Sequence, residues 1–170
     1  MPAARTIVRH SSRAISELAE RVRALDSFRT TEGEVRDRLN ALVVSWRGSI
    51  VVATPEQSWE SLRVEDDKSF TIFLSPETSP LRDNFTIGHE LGHLLLHTDF
   101  DAPGVAHFNR FGSDRAETEA NWFAASLLMP RDEFTASARE NGPDPYLLAG
   151  RFGVSVAAAN VRLRALRLIQ

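Results

Sequence analysis

The sequence predicts an α+β fold, mainly helical, with a small sheet of about three strands lying beside one histidine-bearing helix. Three observations carry that reading. Apolar residues recur at spacings of three and four in several segments, as on one face of an amphipathic helix. Short runs rich in β-branched residues, bounded by Gly, Ser or Pro, mark only a few strands. A chain of 170 residues with 42% hydrophobic and 25% charged residues can bury one core of ordinary size, so a single domain over residues 1–170 is expected.

Taken in order, Ile15, Leu18, Val22 and Leu25 share a helical face between Ser12 and Asp26. Thr31-Glu32-Gly33-Glu34 reads as a capping box that opens a second helix through about Ala41. Leu42 to Trp46 and Ser49 to Thr54 flank Arg47-Gly48 and are rich in β-branched residues, which predicts two short strands or one strand preceded by a turn. Ser69 to Leu74 alternates and stops at Ser75-Pro76, a third strand followed by a loop through Pro80. Asp83 or Asn84 is then a plausible N-cap for a helix reaching His97. Asp99 to Gly112 reads as a loop, and Asp114 to Met129 as a helix halted by Pro130. Within 144–170 the spacing resembles helix-turn-helix: a helix, a turn at Phe152-Gly153-Val154, and a second helix capped by Ser155.

Composition removes several function classes. The longest purely hydrophobic runs are four residues, such as Ala41 to Val44, far below the roughly 20 that span a bilayer, so no membrane association is expected. The basic N-terminal stretch lacks the apolar core of an export signal, which makes the cytoplasm the expected compartment. With no Cys there are no disulfides, thiolate metal sites or Cys nucleophile. A net charge of -3 speaks against a general nucleic-acid binder. The charge is uneven, however: Tyr146 to Gln170 holds four Arg and no acid, while Asp99 to Asp144 holds nine acids and four Arg.

Four of the five His residues, His89, His93, His97 and His107, fall within 19 residues. His89, Glu90 and His93 form an HExxH motif. At about 100° per residue, Thr86, His89, Glu90, His93 and His97 project within an arc of about 100°, and apolar residues and two Gly fill the remainder of the helix. Residues four apart stand one turn apart on one face, so His89 and His93 can meet one ion. Glu90 then lies beside that ion, placed to accept a proton from a water polarised by it.

Zinc usually takes a third protein ligand. The HExxHxxGxxH solution fails, because Leu96 and Asp99 occupy the required Gly and His positions. His97 is one turn too far along a straight helix and is expected at the rim or behind the ligands. His107, in the predicted loop, stays a candidate. Glu117 is the better one: Glu117, Asn121, Ala124 and Leu128 share a face of the later helix, and Ala124 and Ala125 permit close approach to a neighbour. HExxH followed by a Glu opening a later helix is the gluzincin arrangement, here with ExxxN, although Glu119 competes two residues on.

FTIGHELGHLLLH (Phe85 to His97) and ETEANWFAASLLMP (Glu117 to Pro130) together resemble the ImmA/IrrE family of zinc-dependent metallopeptidases in order and spacing. The resemblance extends weakly over roughly Phe70 to Leu166. It implies a zincin-like fold, one zinc ion held by His89, His93 and Glu117, Glu90 as general base, and Asn121 behind the ligands. It also implies cleavage of a helix-turn-helix transcriptional repressor as protein substrate. A donor for the tetrahedral oxyanion is still needed, and Tyr146 and His107 are the candidates. The chemistry of the ligand set favours zinc, while manganese or cobalt also suit a His2Glu site.

The basic C-terminal helix pair supports a rival class, a DNA-binding regulator; a zinc-binding interaction module without turnover is a third. Against the regulator, Asn160, Arg162, Arg164 and Arg167 are few for groove reading, so direct nucleic-acid binding is not expected and the segment is expected to pack on the peptidase and help hold the repressor.

Overall fold

In the computed structural model, which describes residues 10–109 and 115–170, the first helix starts where the Ser11 hydroxyl accepts the Ala14 N–H. This helix, α1 (Ser12–Arg23), buries Ile15, Ala19 and Val22 on the predicted face. It ends before Leu25, which is the exposed N-cap of a single turn, α2 (Asp26–Arg29), that buries Phe28 instead.

The next helix, α3 (Val35–Ser45), differs from the sequence reading at both ends. Its capping box is formed by Glu34 and Asp37, three residues later than Thr31 would place it. The predicted strand at Leu42 to Trp46 is the last turn of this helix and its C-cap. Leu39, Leu42 and Val43 are buried at helical spacing while Val44 is 70% exposed, so burial on one side overrides the β-propensity of two adjacent Val residues.

Four strands follow, one more than expected: β1 (Gly48–Val52), β2 (Glu60–Val64), β3 (Phe70–Leu74) and β4 (Ala106–Asn109). They form one sheet in the order β1-β3-β2-β4. β1 runs parallel to β3 with Ile50 opposite Ile72, and β2 runs antiparallel to both β3 and β4, with Leu62 opposite Ile72 and Phe108. β2 carries Glu60 and Arg63, and β4 lies in the stretch expected as loop; β2 is fixed by pairing on both of its edges and β4 by a partner distant in sequence, more than by their own patterns.

The histidine helix, α4 (Pro80–His97), begins a turn earlier than expected. Its N-cap is Ser79, whose hydroxyl accepts the Arg82 N–H, and Pro80 occupies the first position, where a missing N–H costs nothing. Asn84 is not a cap: it is buried, accepts from Arg36 Nε at 2.7 Å and donates to the Gly153 carbonyl at 2.8 Å.

Against α4 packs α5 (Arg115–Leu128); Asp114, its expected start, lies outside the described residues, as does the N-terminal stretch through Arg9. The two helices meet through small residues. A Cβ on Gly92 would lie 2.9 Å from Ala120 Cα, and one on Gly88 would lie 3.3 Å from Ala124 Cβ. Ala124 is therefore at the contact as expected, Ala120 joins it, and Ala125 lies on another side, in a groove.

Three helices complete the chain: α6 (Arg131–Asn141), α7 (Pro145–Phe152) and α8 (Val156–Ala165). The predicted turn between the last two is present, with Gly153 left-handed at φ 61° and the Ser155 hydroxyl capping Ala158 N–H. Arg162 does not reach out as a phosphate contact; its Nε donates to the Met129 carbonyl at 3.0 Å. Among the described residues no helix is long and apolar enough to cross a membrane.

Candidate metal centre

His89 and His93 stand one turn apart on α4 with their Nε2 atoms 3.0 Å apart. Glu117, in the first turn of α5, spans them: Oε2 lies 3.1 Å from His89 Nε2 and Oε1 lies 3.0 Å from His93 Nε2. Glu117 precedes Ala120 by one turn, so the glycine-to-alanine contact that seats α5 on α4 also sets where its carboxylate arrives. The three residues form a group that could hold a metal ion.

The hydrogen bonds behind the cluster fix which nitrogen faces it. Asn121 Oδ1 accepts from His89 Nδ1 at 2.9 Å, which leaves the lone pair on His89 Nε2. On the other side, His97 Nε2 donates to Glu119 Oε2 at 3.3 Å, so His97 Nδ1 is an acceptor for His93 Nδ1–H at 3.1 Å. That leaves the lone pair of His93 on Nε2 as well. Glu119, almost wholly buried, is itself held by Arg115 Nε at 2.6 Å and by the His10 backbone N–H at 3.2 Å. Two imidazole lone pairs and a carboxylate thus turn towards one point. Their separations are close to the roughly 3.3 Å that ligand bonds of about 2.05 Å impose around a tetrahedral ion.

Electrostatics set the two rings apart in the metal-free site. Burial, followed by the charge of His89, pulls His93 down to about 4, so it is held neutral and ready to ligate. Burial opposes charging of His89 too, but the Glu117 hydrogen bond and the charges of Glu90 and Glu117 raise it above its ordinary value. The hydrogen bond from His89 holds the Glu117 carboxyl below the usual range, with burial opposing. Glu90 is buried beside His89, and its charge is felt there.

The structure brings His89, His93 and Glu117 together and sets Asn121 and His97 directly behind the two His rings. It does not bring His107 or Tyr146 to the cluster. Neighbouring side chains on a strand point to opposite faces; Phe108 faces α4, its ring 5.2 Å from that of His93. His107 therefore faces the other way, with Nδ1 bonded to the buried Glu60 and its ring 5.9 Å from Trp59. Tyr146 is 73% exposed at the start of α7. Sequence reasoning missed the service of Glu119 to His97 and the contact of Phe108. The i,i+4 spacing of Arg115 and Glu119 was the available signal for the first.

Known proteins are similar to parts of this chain. The chain is 34% identical over 65 residues to the uncharacterized immunity region protein 2 of Bacillus phage phi105, a stretch covering 38% of this chain and 41% of that protein. It is 33% identical over 88 residues to the radiation response metalloprotease IrrE of Deinococcus deserti, covering 49% of this chain and 31% of that protein. The chain thus spans less than half the length of either relative. The peptidase M78 family, described as the IrrE N-terminal-like domain, matches residues 49–164. That match takes in the sheet from the second residue of β1 onward, the histidine helix and the helix that brings Glu117, and the chain belongs to this family.

Proposed function

We propose that the chain is a zinc metallopeptidase that cleaves a specific protein substrate, a helix-turn-helix transcriptional repressor. The observation that carries the reading is the convergence of His89 Nε2, His93 Nε2 and the Glu117 carboxylate, with the buried Glu90 beside them. Zinc supplies Lewis acidity at such a site, making a water acidic enough to lose its proton near neutral pH and polarising a carbonyl oxygen.

The residues of the chain divide the remaining work. His89, His93 and Glu117 hold the ion; Asn121 and the His97–Glu119 pair keep the two imidazoles in the ligating tautomer. The Glu90 carboxylate accepts the proton of the attacking water and returns it to the amine that leaves as the peptide bond breaks. The substrate class rests on the resemblance to the ImmA/IrrE family and on the immunity-region setting named for the phage relative.

Incubation of the zinc-loaded chain with a helix-turn-helix repressor encoded beside its gene, followed by mass spectrometry, tests the proposal. A single defined cut is expected, and Glu90→Gln should keep its zinc and fold while the rate falls by roughly 10²- to 10⁴-fold. A repressor left intact by zinc-loaded protein would refute the substrate class. Undiminished cleavage by Glu90→Gln would remove Glu90 from the mechanism.

A further inference from the structure

Between α5 and α8 lies a groove of about 460 Å³, lined also by Phe85 of α4. This is within the roughly 300–1,000 Å³ of pockets that hold specific ligands. Its walls are apolar: Trp122 and Ala125 on α5 face Ala158 and Val161 on α8. Trp122 is 39% and Val161 68% exposed, so apolar surface that the core does not use is gathered at one place.

Two observations say what belongs there. The first is continuity with the metal centre. Asn121 lines the groove and also accepts from His89 Nδ1. The groove therefore borders the residue that holds the His89 ring from the side away from the cluster, which puts it within reach of a side chain a few residues from the scissile bond. The second is charge. Arg162 lines the same groove, and its Nε is occupied by the Met129 carbonyl. Among the described residues no carboxylate pairs with it, and burial, followed by the charge of Arg131, draws it down to about 10. A partly desolvated guanidinium of this kind favours an incoming carboxylate.

We propose that the groove between α5 and α8 is a substrate subsite that takes an apolar side chain with a carboxylate close by, from the segment flanking the scissile bond. The proposal rests on the peptidase reading and adds a substrate preference to it. An apolar side chain a few residues from the reacting carbonyl fills the space between Trp122 and Ala158, and the carboxylate meets Arg162. Recognition of a folded repressor then depends on a short apolar-acidic segment being presented at the helix pair, which gives α7 and α8 a role in substrate choice without any contact to DNA.

Two measurements on the zinc-loaded chain test this, with Ala158→Phe to fill the groove and Val161→Glu to place a like charge at its rim. Val161 is exposed, so the second variant leaves folding intact if the first does not. The first measurement uses 1-anilinonaphthalene-8-sulfonate, an apolar ring system carrying an anion, as the probe. One probe is expected per chain, with affinity at least tenfold weaker in either variant while zinc content and circular dichroism stay unchanged. The second is the cleavage profile of a peptide library drawn from a digested proteome, with Glu90→Gln as the blank. The native chain should select an apolar residue at a fixed position near the cut, with an acidic neighbour, and the variants should lose that selection. Probe affinity or a profile unaltered by both variants overturns the proposal, as does self-association of the native chain abolished by Val161→Glu. If the library stays uncut while the repressor is cut, the sequence at that cut decides instead, and the lack of an apolar residue with an acidic neighbour there overturns the proposal; if neither is cut the peptidase reading fails, and the probe then decides whether the groove binds an apolar anion.

Discussion

Replacing Gly92 by Ala should destabilise the protein even though the substitution favours the helix. In a helix interior Ala is better than Gly by about 1 kcal/mol. Here the added Cβ would stand 2.9 Å from Ala120 Cα and 3.1 Å from Ala120 O, against about 3.5–4.0 Å for a relaxed contact. Both neighbours are fixed by the α5 backbone, so the two helices must part by roughly 0.5–1 Å. Overpacking of that kind costs about 1–3 kcal/mol, to which the loosened α4–α5 interface adds. The net loss is about 1–2 kcal/mol, or a midpoint lower by roughly 2–8 °C for a domain of this size. Gly150 supplies the control: it lies inside α7 with nothing within 4 Å of an added Cβ, so Gly150→Ala should raise the midpoint by a few degrees. Thermal unfolding of the metal-free proteins by circular dichroism reads both. Because Glu117 rides on the same contact, Gly92→Ala should also weaken metal binding. If Gly92→Ala were stabilised as much as Gly150→Ala, the account of how α5 is seated, and with it the placement of Glu117, would be wrong.

The support behind His93 has its own test: His97→Phe removes the acceptor for Nδ1, and zinc affinity by chelator competition should fall about 10- to 100-fold, with Asn121→Ala acting similarly through His89. Unchanged affinity in both variants would show that the outer hydrogen bonds do not matter. In the metal-free protein, NMR titration should find His89 protonating above its ordinary value and His93 staying neutral down to about pH 4. Between about 6.5, the unfolded value, and 4 the unfolded chain binds a proton that folded His93 refuses, so its contribution to stability falls as pH drops through that window. His89 works in the opposite sense, its contribution being full below about 6.5 and lost as pH rises through its raised value. The reverse order of protonation would contradict the electrostatics described here.

The parts of the fold legible from the sequence are those with local causes. The face of α1, the stop at Pro130 and the Gly153 turn with its Ser155 cap each follow from periodicity, a missing N–H or a left-handed position, and each is present. The parts that were misread depend on distant partners. Val43 and Val44 look like a strand until Val43 is seen buried with Leu39 and Leu42. Glu60 to Val64 becomes a strand by pairing with β3 on one edge and with Ala106 to Asn109 on the other, and Ala106 to Asn109 does so through that second pairing, across more than forty positions. At the site, the i,i+4 spacing of His89 and His93 is a local fact and was readable. The arrival of Glu117 is a consequence of Gly88 and Gly92 admitting Ala124 and Ala120, which no single segment announces. Likewise Glu119 was visible as a competitor for the ion but not as the partner of His97, because their meeting requires the two helices to be docked.

The central claim, that one ion is held by His89, His93 and Glu117, is tested most directly by metal analysis of the purified protein beside three single variants. The account predicts about one zinc per chain, lost in Glu117→Ala and kept in His107→Ala, whose ring faces away from the cluster; Glu119→Ala should bind more weakly without losing the site. Full occupancy in Glu117→Ala together with loss in His107→Ala or Glu119→Ala would contradict it.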